Sequence, residues 1–243
     1  MGNENLMLQH ESKHYIFNFY AGSKAAEDIL LIAEHQQACY THICKVLGVE
    51  PKFKIKYFLC NSPEEVGKIY GDNEPCNAFT SPPDSIYAVY NDDIQCIGFH
   101  EDAHIISYTI NRPESAAIRE GLAMYFDRVW WGISNEDWTL YYLKTNKYIS
   151  ICNLLDNKYF FSEDCSLTYP IMGAFTNYLI VHYGIKKYLV FYRYKDNIFD
   201  GFEKVYKLSV NELEMKFKKE IAKLELTNDT ESKIKQLLMK NKT

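Results

Sequence analysis

Apolar and polar positions alternate in three short stretches near the start of the chain, and that period of two predicts β-strands. Residues 13–20 (KHYIFNFY), 52–59 (KFKIKYFL) and 85–90 (SIYAVY) carry it, each rich in aromatic or β-branched side chains. Between the first two, apolar residues recur at helical spacing over 24–47. This predicts a long helix with Ser23 as its N-cap and Gly48 as its stop. Ser62-Pro63-Glu64-Glu65 combines a cap, a proline at the first helical position and an acidic first turn, so a short helix should run from there to Gly71. Residues 72–84, with Pro75, Pro82 and Pro83, read as loop. Asn91-Asp92-Asp93 reads as the cap of a helix continuing to about Thr109. Asn111-Arg112-Pro113-Glu114 then breaks the chain and starts another helix through Arg128.

Beyond residue 134 the periodicity is helical, with candidate helices over 135–146, 169–183, 185–195, 198–206 and 209–224 and a last charged segment over 229–240. Strands crowd the first 90 residues and helices fill the remainder. That is an α+β pattern: a small N-terminal mixed sheet with helices, then a mainly helical lobe. The expected division is 1–112 and 113–243, two parts of one compact unit.

Composition narrows the possibilities. With 243 residues, 47% of them hydrophobic and 15% aromatic, the chain has too much apolar surface to remain disordered. The net charge is −5 and the basic residues are scattered among acidic ones, which argues against a nucleic-acid surface. No apolar run reaches the roughly 18 residues that a membrane-spanning helix needs. The opening residues lack a basic stretch followed by an apolar one. Met1-Gly2 starts as a myristoylation signal does, but Leu6 stands where that signal needs Ser or Thr. Seven cysteines, odd in number and without a C-x-x-C pair, read as reduced structural thiols. The expected location is cytoplasmic, the alternative being a secreted or envelope protein whose leader was removed.

One segment carries chemistry. His100-Glu101-Asp102-Ala103-His104 is an H-E-x-x-H sequence in a predicted helix. Positions i and i+4 share a helix face, so both imidazoles can point at one ion, and neutral imidazole suits Zn²⁺. Glu101, beside the first ligand, is placed to take a proton from the attacking water. A catalytic zinc needs a third protein ligand. Glu120 in Ile118-Arg119-Glu120-Gly121-Leu122-Ala123 is the candidate, 16 residues after His104 across the proline turn, with Gly121 and Ala123 small enough to let the two helices approach closely. The competing reading places Glu120 on a solvated face.

The pair His100-Glu101-x-x-His104 and Glu120-Gly121-Leu122-Ala123 resembles the gluzincin branch of zinc metallopeptidases, the thermolysin-like MA clan. Tyr169-Pro170-Ile171-Met172-Gly173-Ala174-Phe175, Tyr178-Leu179 and Tyr183-Gly184 are similar to the following helix of bacterial peptidase MA-like proteins. Phe202-Glu203-Lys204-Val205-Tyr206 with Leu208-Ser209 is similar to their C-terminal helices. The resemblance implies a zincin-like fold, one Zn²⁺, a peptide or protein substrate and hydrolysis with Glu101 as general base. It also implies an edge strand that pairs with an extended peptide. Residues 85–90 take that place, making Ile86, Tyr87, Ala88 and Val89 the expected substrate-binding residues. A Tyr or His should donate to the oxyanion: Tyr169 is the first candidate and His182 the second, with Tyr169 equally readable as a core aromatic. One departure from thermolysin-type enzymes is Met124, standing four residues past the ligand Glu, where they carry an Asp; Asp127 could serve instead or lie at the surface.

The other histidines (His10, His14, His35, His42, His182) form no second cluster in the sequence and read as non-ligands. Cys96, four residues before His100, would share its helix face and reads as a buried thiol. Trp130, Trp131 and Trp138 read as core aromatics between helices, and the alternating Lys and Glu of 214–225 as a solvated helix face. Two other classes of function stay open: a metal- or peptide-binding module without hydrolysis, and a structural protein in which HEDAH is a chance helical sequence.

Overall fold

A computed structural model describes residues 6–240. Met1 and Gly2, weighed above for a lipidation signal, lie outside the described residues. The chain divides between Ile110 and Asn111 into two compact units, and the architecture is mixed α and β.

The first unit is a five-stranded mixed sheet with helices on both faces. Its strands are β1 (Met7–Glu11), β2 (Tyr15–Tyr20), β3 (Ile55–Cys60), β4 (Ala78–Ser81) and β5 (Ser85–Val89), in the order β1-β2-β3-β5-β4. β2, β3 and β5 run parallel, while β1 and β4 are antiparallel to their neighbours. The three helices are α1 (Lys24–Leu47), α2 (Pro63–Tyr70) and α3 (His100–Tyr108). Register places Phe17, Tyr57, Ile86 and Thr80 side by side in one row across the sheet. Period-two alternation puts Tyr15, Phe19, Ile55, Leu59 and Ala88 on the same face, all buried. α1 packs on that face against β2 and α3, and α3 against β4 and β5. On the opposite face Val66 of α2 packs with Cys60, Val89, Phe79 and Tyr87.

Local chemistry explains the helix ends. The Ser23 hydroxyl accepts from the Ala26 N–H and Gly48 adopts φ 65° to close α1. Ser62 caps α2 in the same way, and Gly71 ends it at φ 108°. Four expectations need correction here. The segment over 72–84 is not all loop, because β4 sits between Pro75 and Pro82. β1, which no alternation signal had marked, lies at the other side of the sheet. The expected helix over 91–109 exists only from His100, since Asn91 forms a side-chain turn instead: its Oδ1 accepts from the N–H groups of Asp93 (3.0 Å) and Ile94 (2.7 Å). Finally, β5 is not an edge strand. It is hydrogen-bonded to β3 on one side and β4 on the other, and Ile86, Ala88 and Val89 are fully buried. The backbone of Ile86, Tyr87, Ala88 and Val89 therefore has no open side for a peptide.

The second unit is helical apart from a hairpin. Its elements are α4 (Ala116–Asp127), β6 (Val129–Trp130), β7 (Ile133–Ser134), α5 (Asn135–Lys144), α6 (Ile151–Leu154), α7 (Asn157–Ser162), α8 (Cys165–Tyr183), α9 (Ile185–Tyr192), α10 (Ile198–Tyr206), α11 (Val210–Ile221) and α12 (Asn228–Lys240). Trp131 and Gly132, at φ 49° and 73°, make the tight turn of the hairpin, and Trp138 is fully buried with its indole N–H donating to the Trp130 carbonyl at 2.9 Å.

α8 is the spine of this unit, packing along α4 and α5, with Phe175 buried against Phe202 and Phe217. It starts one turn earlier than Tyr169-Pro170 suggests, because Asp164 caps it by accepting from the Ser166 N–H at 2.8 Å. Pro170 then lies inside the helix and cannot donate to the Ser166 carbonyl. The Tyr142 hydroxyl donates to that carbonyl instead, at 2.8 Å. On α11 the alternating charges are only partly solvated, since Glu214 is buried with Lys218 3.6 Å away. Among the described residues no helix is long and apolar enough to cross a membrane.

Candidate metal centre

α3 begins at His100, so the H-E-x-x-H sequence is its first turn and a half. Glu101 and Asp102 fall in the first turn, where negative charge complements the helix dipole. Phe99, the residue before it, provides no side-chain cap. The helix start is fixed by the preceding loop, which is fastened at three points. The Cys96 N–H donates to the Val89 carbonyl at 2.8 Å, extending the sheet beyond β5. The buried Tyr57 hydroxyl donates to the Cys96 carbonyl at 3.0 Å. The Gln36 side chain of α1 bonds both backbone groups of Gly98, which sits at φ 128°. Cys96 consequently belongs to the loop and not to the helix face that carries His100.

The side chains leave α3 in three directions. His100 and His104 share a face, their ring centroids 5.0 Å apart and their planes at 82°. His104 is nearly buried and its ring lies 5.8 Å from that of Tyr108. Asp102, two residues from each histidine, points away from them into the core of the first unit, where the Tyr15 hydroxyl bonds to it and to the Gln36 carbonyl. It is fully buried, and that burial pushes its carboxyl well above the usual carboxylate range. Glu101 turns toward β4, where the Thr80 hydroxyl donates to its Oε2.

Glu120 is held by α4, whose start is fastened within the second unit. The Ala116 N–H donates to Asn157 Oδ1 at 2.7 Å, and the Arg119 guanidinium donates to the carbonyls of Pro113 and Glu114 at 2.6 and 2.8 Å. The small residue after Glu120 serves a different contact from the one expected. A Cβ on Gly121 would fall 2.6 Å from Thr176 Oγ1 and 3.0 Å from the Met172 carbonyl oxygen, so the glycine admits α8. Glu120, one residue earlier and half-buried, lies about 100° round the helix from that contact.

One ligand atom each of His100, His104 and Glu120 lies within 4.8 Å of the others, and the group could hold a metal ion. Two imidazole nitrogens and a carboxylate oxygen are a sufficient donor set for a tetrahedral ion with one open position. Such ligands sit about 2.1 Å from the ion and hence about 3.4 Å from one another. Among the described residues no other group of His, Cys, Asp and Glu gathers in this way, so His10, His14, His35, His42 and His182 join no such cluster.

The two oxyanion candidates have structural partners. Tyr169 is half-buried, its ring stacked 5.8 Å from Phe160 and edge-on to Trp130 at 5.5 Å. His182 lies near the end of α8, its Nδ1 3.0 Å from the Tyr178 carbonyl. Met124 is fully buried, and Asp127 is half-buried at the last position of α4. Sequence reasoning missed Thr80, Gln36 and Tyr15. Gln36 did leave a trace, as a polar residue in the apolar stripe Ile32, Ala33, Tyr40, Ile43 of α1. Thr80 left none, because its role depends on strand register.

No family model matches the chain, and no curated protein matches it.

Proposed function

We propose that the protein is a zinc-dependent metallopeptidase of gluzincin kind, with His100, His104 and Glu120 as zinc ligands and Glu101 as general base. The observation that carries this reading is the convergence of those three ligand atoms to within 4.8 Å. It comes from an H-E-x-x-H helix and a downstream Glu-Gly-Leu-Ala, the donor set that leaves one coordination position open for catalysis. Zinc, when bound there, supplies a Lewis acid for the scissile carbonyl and makes a water acidic at neutral pH. With an ion in place, Glu101 would take a proton from the attacking water as the water oxygen bonds to the carbonyl carbon. The carbon–nitrogen bond then breaks, and Glu101 passes the proton to the leaving nitrogen. Tyr169 is the proposed oxyanion donor, with His182 as the alternative.

The substrate is a peptide or protein in extended form. β4 replaces β5 as the strand that it would pair with, because β4 is last in the sheet order and Glu101 bonds to it. Seven cysteines without a disulfide suit a reducing compartment, which favours the cytoplasm. The deciding experiment measures zinc content and chelator-sensitive cleavage of a denatured protein such as casein. The parent protein should cleave, whereas Glu101→Gln should keep its zinc and lose activity by a factor of about 100 or more. A Glu101→Gln protein that retains both overturns the role of Glu101. A parent protein that holds zinc without cleaving is a binding module, and one that takes up no zinc is neither.

A further inference from the structure

Resting on that peptidase reading, we propose that Thr80 is a positioning residue for Glu101, so that the strand available to an extended substrate also sets the orientation of the base. Three observations carry it. Thr80 is in the middle of β4, and the row Phe17, Tyr57, Ile86, Thr80 ends with it at the rim of the sheet. Its side chain lies on the face against which α3 packs, and its hydroxyl donates to Oε2 of Glu101. β4 is hydrogen-bonded to β5 on one side, and no strand lies on its other side among the described residues.

The physical consequence is a division of labour within one carboxylate. Glu101 has several rotatable bonds and occupies the first turn of a helix, where the neighbouring side chains are polar. A bond to one oxygen removes rotamers and leaves the other oxygen to meet the attacking water. Misplacement of a reacting group by about 1 Å can cost about a hundredfold in rate. Because the donor belongs to a strand and not to a flexible loop, the position of Glu101 is tied to the backbone that would hydrogen-bond the substrate. A substrate that pairs along β4 therefore meets a base already in register with it.

The test has two arms, both on the full chain. In the first, zinc-loaded Thr80→Val and Thr80→Ser proteins are assayed on an internally quenched peptide derived from a casein cleavage site. Thr80→Val keeps the shape and removes the hydroxyl. It should lower kcat about tenfold or more with KM nearly unchanged, and Thr80→Ser should restore most of it. The second arm needs no activity: denaturation midpoints of the parent, Thr80→Val, Glu101→Ala and double variants are compared in chelator. Removal of both partners should shift the midpoint by less than the two single shifts together, because each single variant loses the same bond. Additive midpoints, or full kcat in Thr80→Val, overturn the proposal while the peptidase reading stands. A parent protein without chelator-sensitive cleavage overturns the peptidase reading and the catalytic role of Thr80 with it, whatever the midpoints show.

Discussion

The Gln36 side chain completes the backbone hydrogen bonding of Gly98: its Oε1 accepts from the Gly98 N–H at 2.7 Å and its Nε2 donates to the Gly98 carbonyl at 3.1 Å. A residue of α1 thereby fixes the loop two positions before His100. Gln36 is fully buried and Gly98 half-buried, so truncation would remove the side-chain partner of both Gly98 backbone groups. Gln36→Ala should destabilise the protein by about 1–3 kcal/mol, the cost of losing two part-buried hydrogen bonds. It should also weaken zinc binding, because the start of α3 loses its brace. Urea denaturation and a zinc titration against a chromophoric chelator measure the two effects. Unchanged zinc affinity in a destabilised protein would show that the brace serves only the fold.

Asp102 lies between the candidate ligands His100 and His104 in sequence and points away from them in space. The single hydroxyl proton of Tyr15 cannot serve both the Gln36 carbonyl and Asp102. Burial raises the Asp102 carboxyl, so the neutral acid can donate to Tyr15 while Tyr15 donates to Gln36. Asp102→Asn supplies the same donor without the charge, and its stability should fall within about 1 kcal/mol of the parent. Asp102→Ala should cost about 2–3 kcal/mol through a cavity and an unpaired Tyr15 oxygen. Chemical denaturation in chelator compares them. A large loss in Asp102→Asn would mean that the ionised form is the one the fold selects.

Tyr142 and Pro170 form a second testable pair. The hydroxyl of Tyr142 occupies the Ser166 carbonyl that Pro170 cannot reach. Tyr142→Phe should cost about 1–2 kcal/mol in the parent. The cost should shrink when Pro170→Ala restores an N–H to the helix. Thermal denaturation of the four proteins closes the cycle, and equal costs in both backgrounds would sink the account.

The first unit also carries an alkaline dependence. Tyr20 donates to Glu65 Oε1 at 2.6 Å, and this bond, assisted by burial, pushes its phenol up to about 12. A phenol raised above its unfolded value of about 10 adds stability that is fully present below pH 10 and is lost as pH rises through about 12. Tyr20→Phe should therefore be less stable than the parent at pH 9, with the difference shrinking towards pH 12. Urea midpoints across that range measure it, and a difference independent of pH would contradict the coupling to Glu65.

What the sequence discloses depends on where the information sits. α1 and α2 are readable because Ser23, Gly48, Ser62 and Gly71 encode their ends locally. The ligand candidates His100, His104 and Glu120 are readable because metal chemistry restricts residue type and spacing. β4 is not readable: four residues between prolines show too little alternation, and only pairing with β5 makes them a strand. The misplaced edge strand follows directly from that gap. Asn91-Asp92-Asp93 misleads because the same side chains that cap helices also close turns, and the fastening of Cys96 and Gly98 decides between them. Thr80 and Gln36 act through partners 21 and 62 residues away in the chain, a range at which local pattern carries no signal.

A sheet that terminates in so brief a strand has a weakly protected border. The outward amides of β4 should exchange with deuterium sooner than those of β3, which is bracketed by β2 and β5. An extended guest lying along that border would slow the exchange at Ala78–Ser81. The border thus acts as an intrinsic reporter, able to reveal a guest polypeptide before anything is known of its sequence.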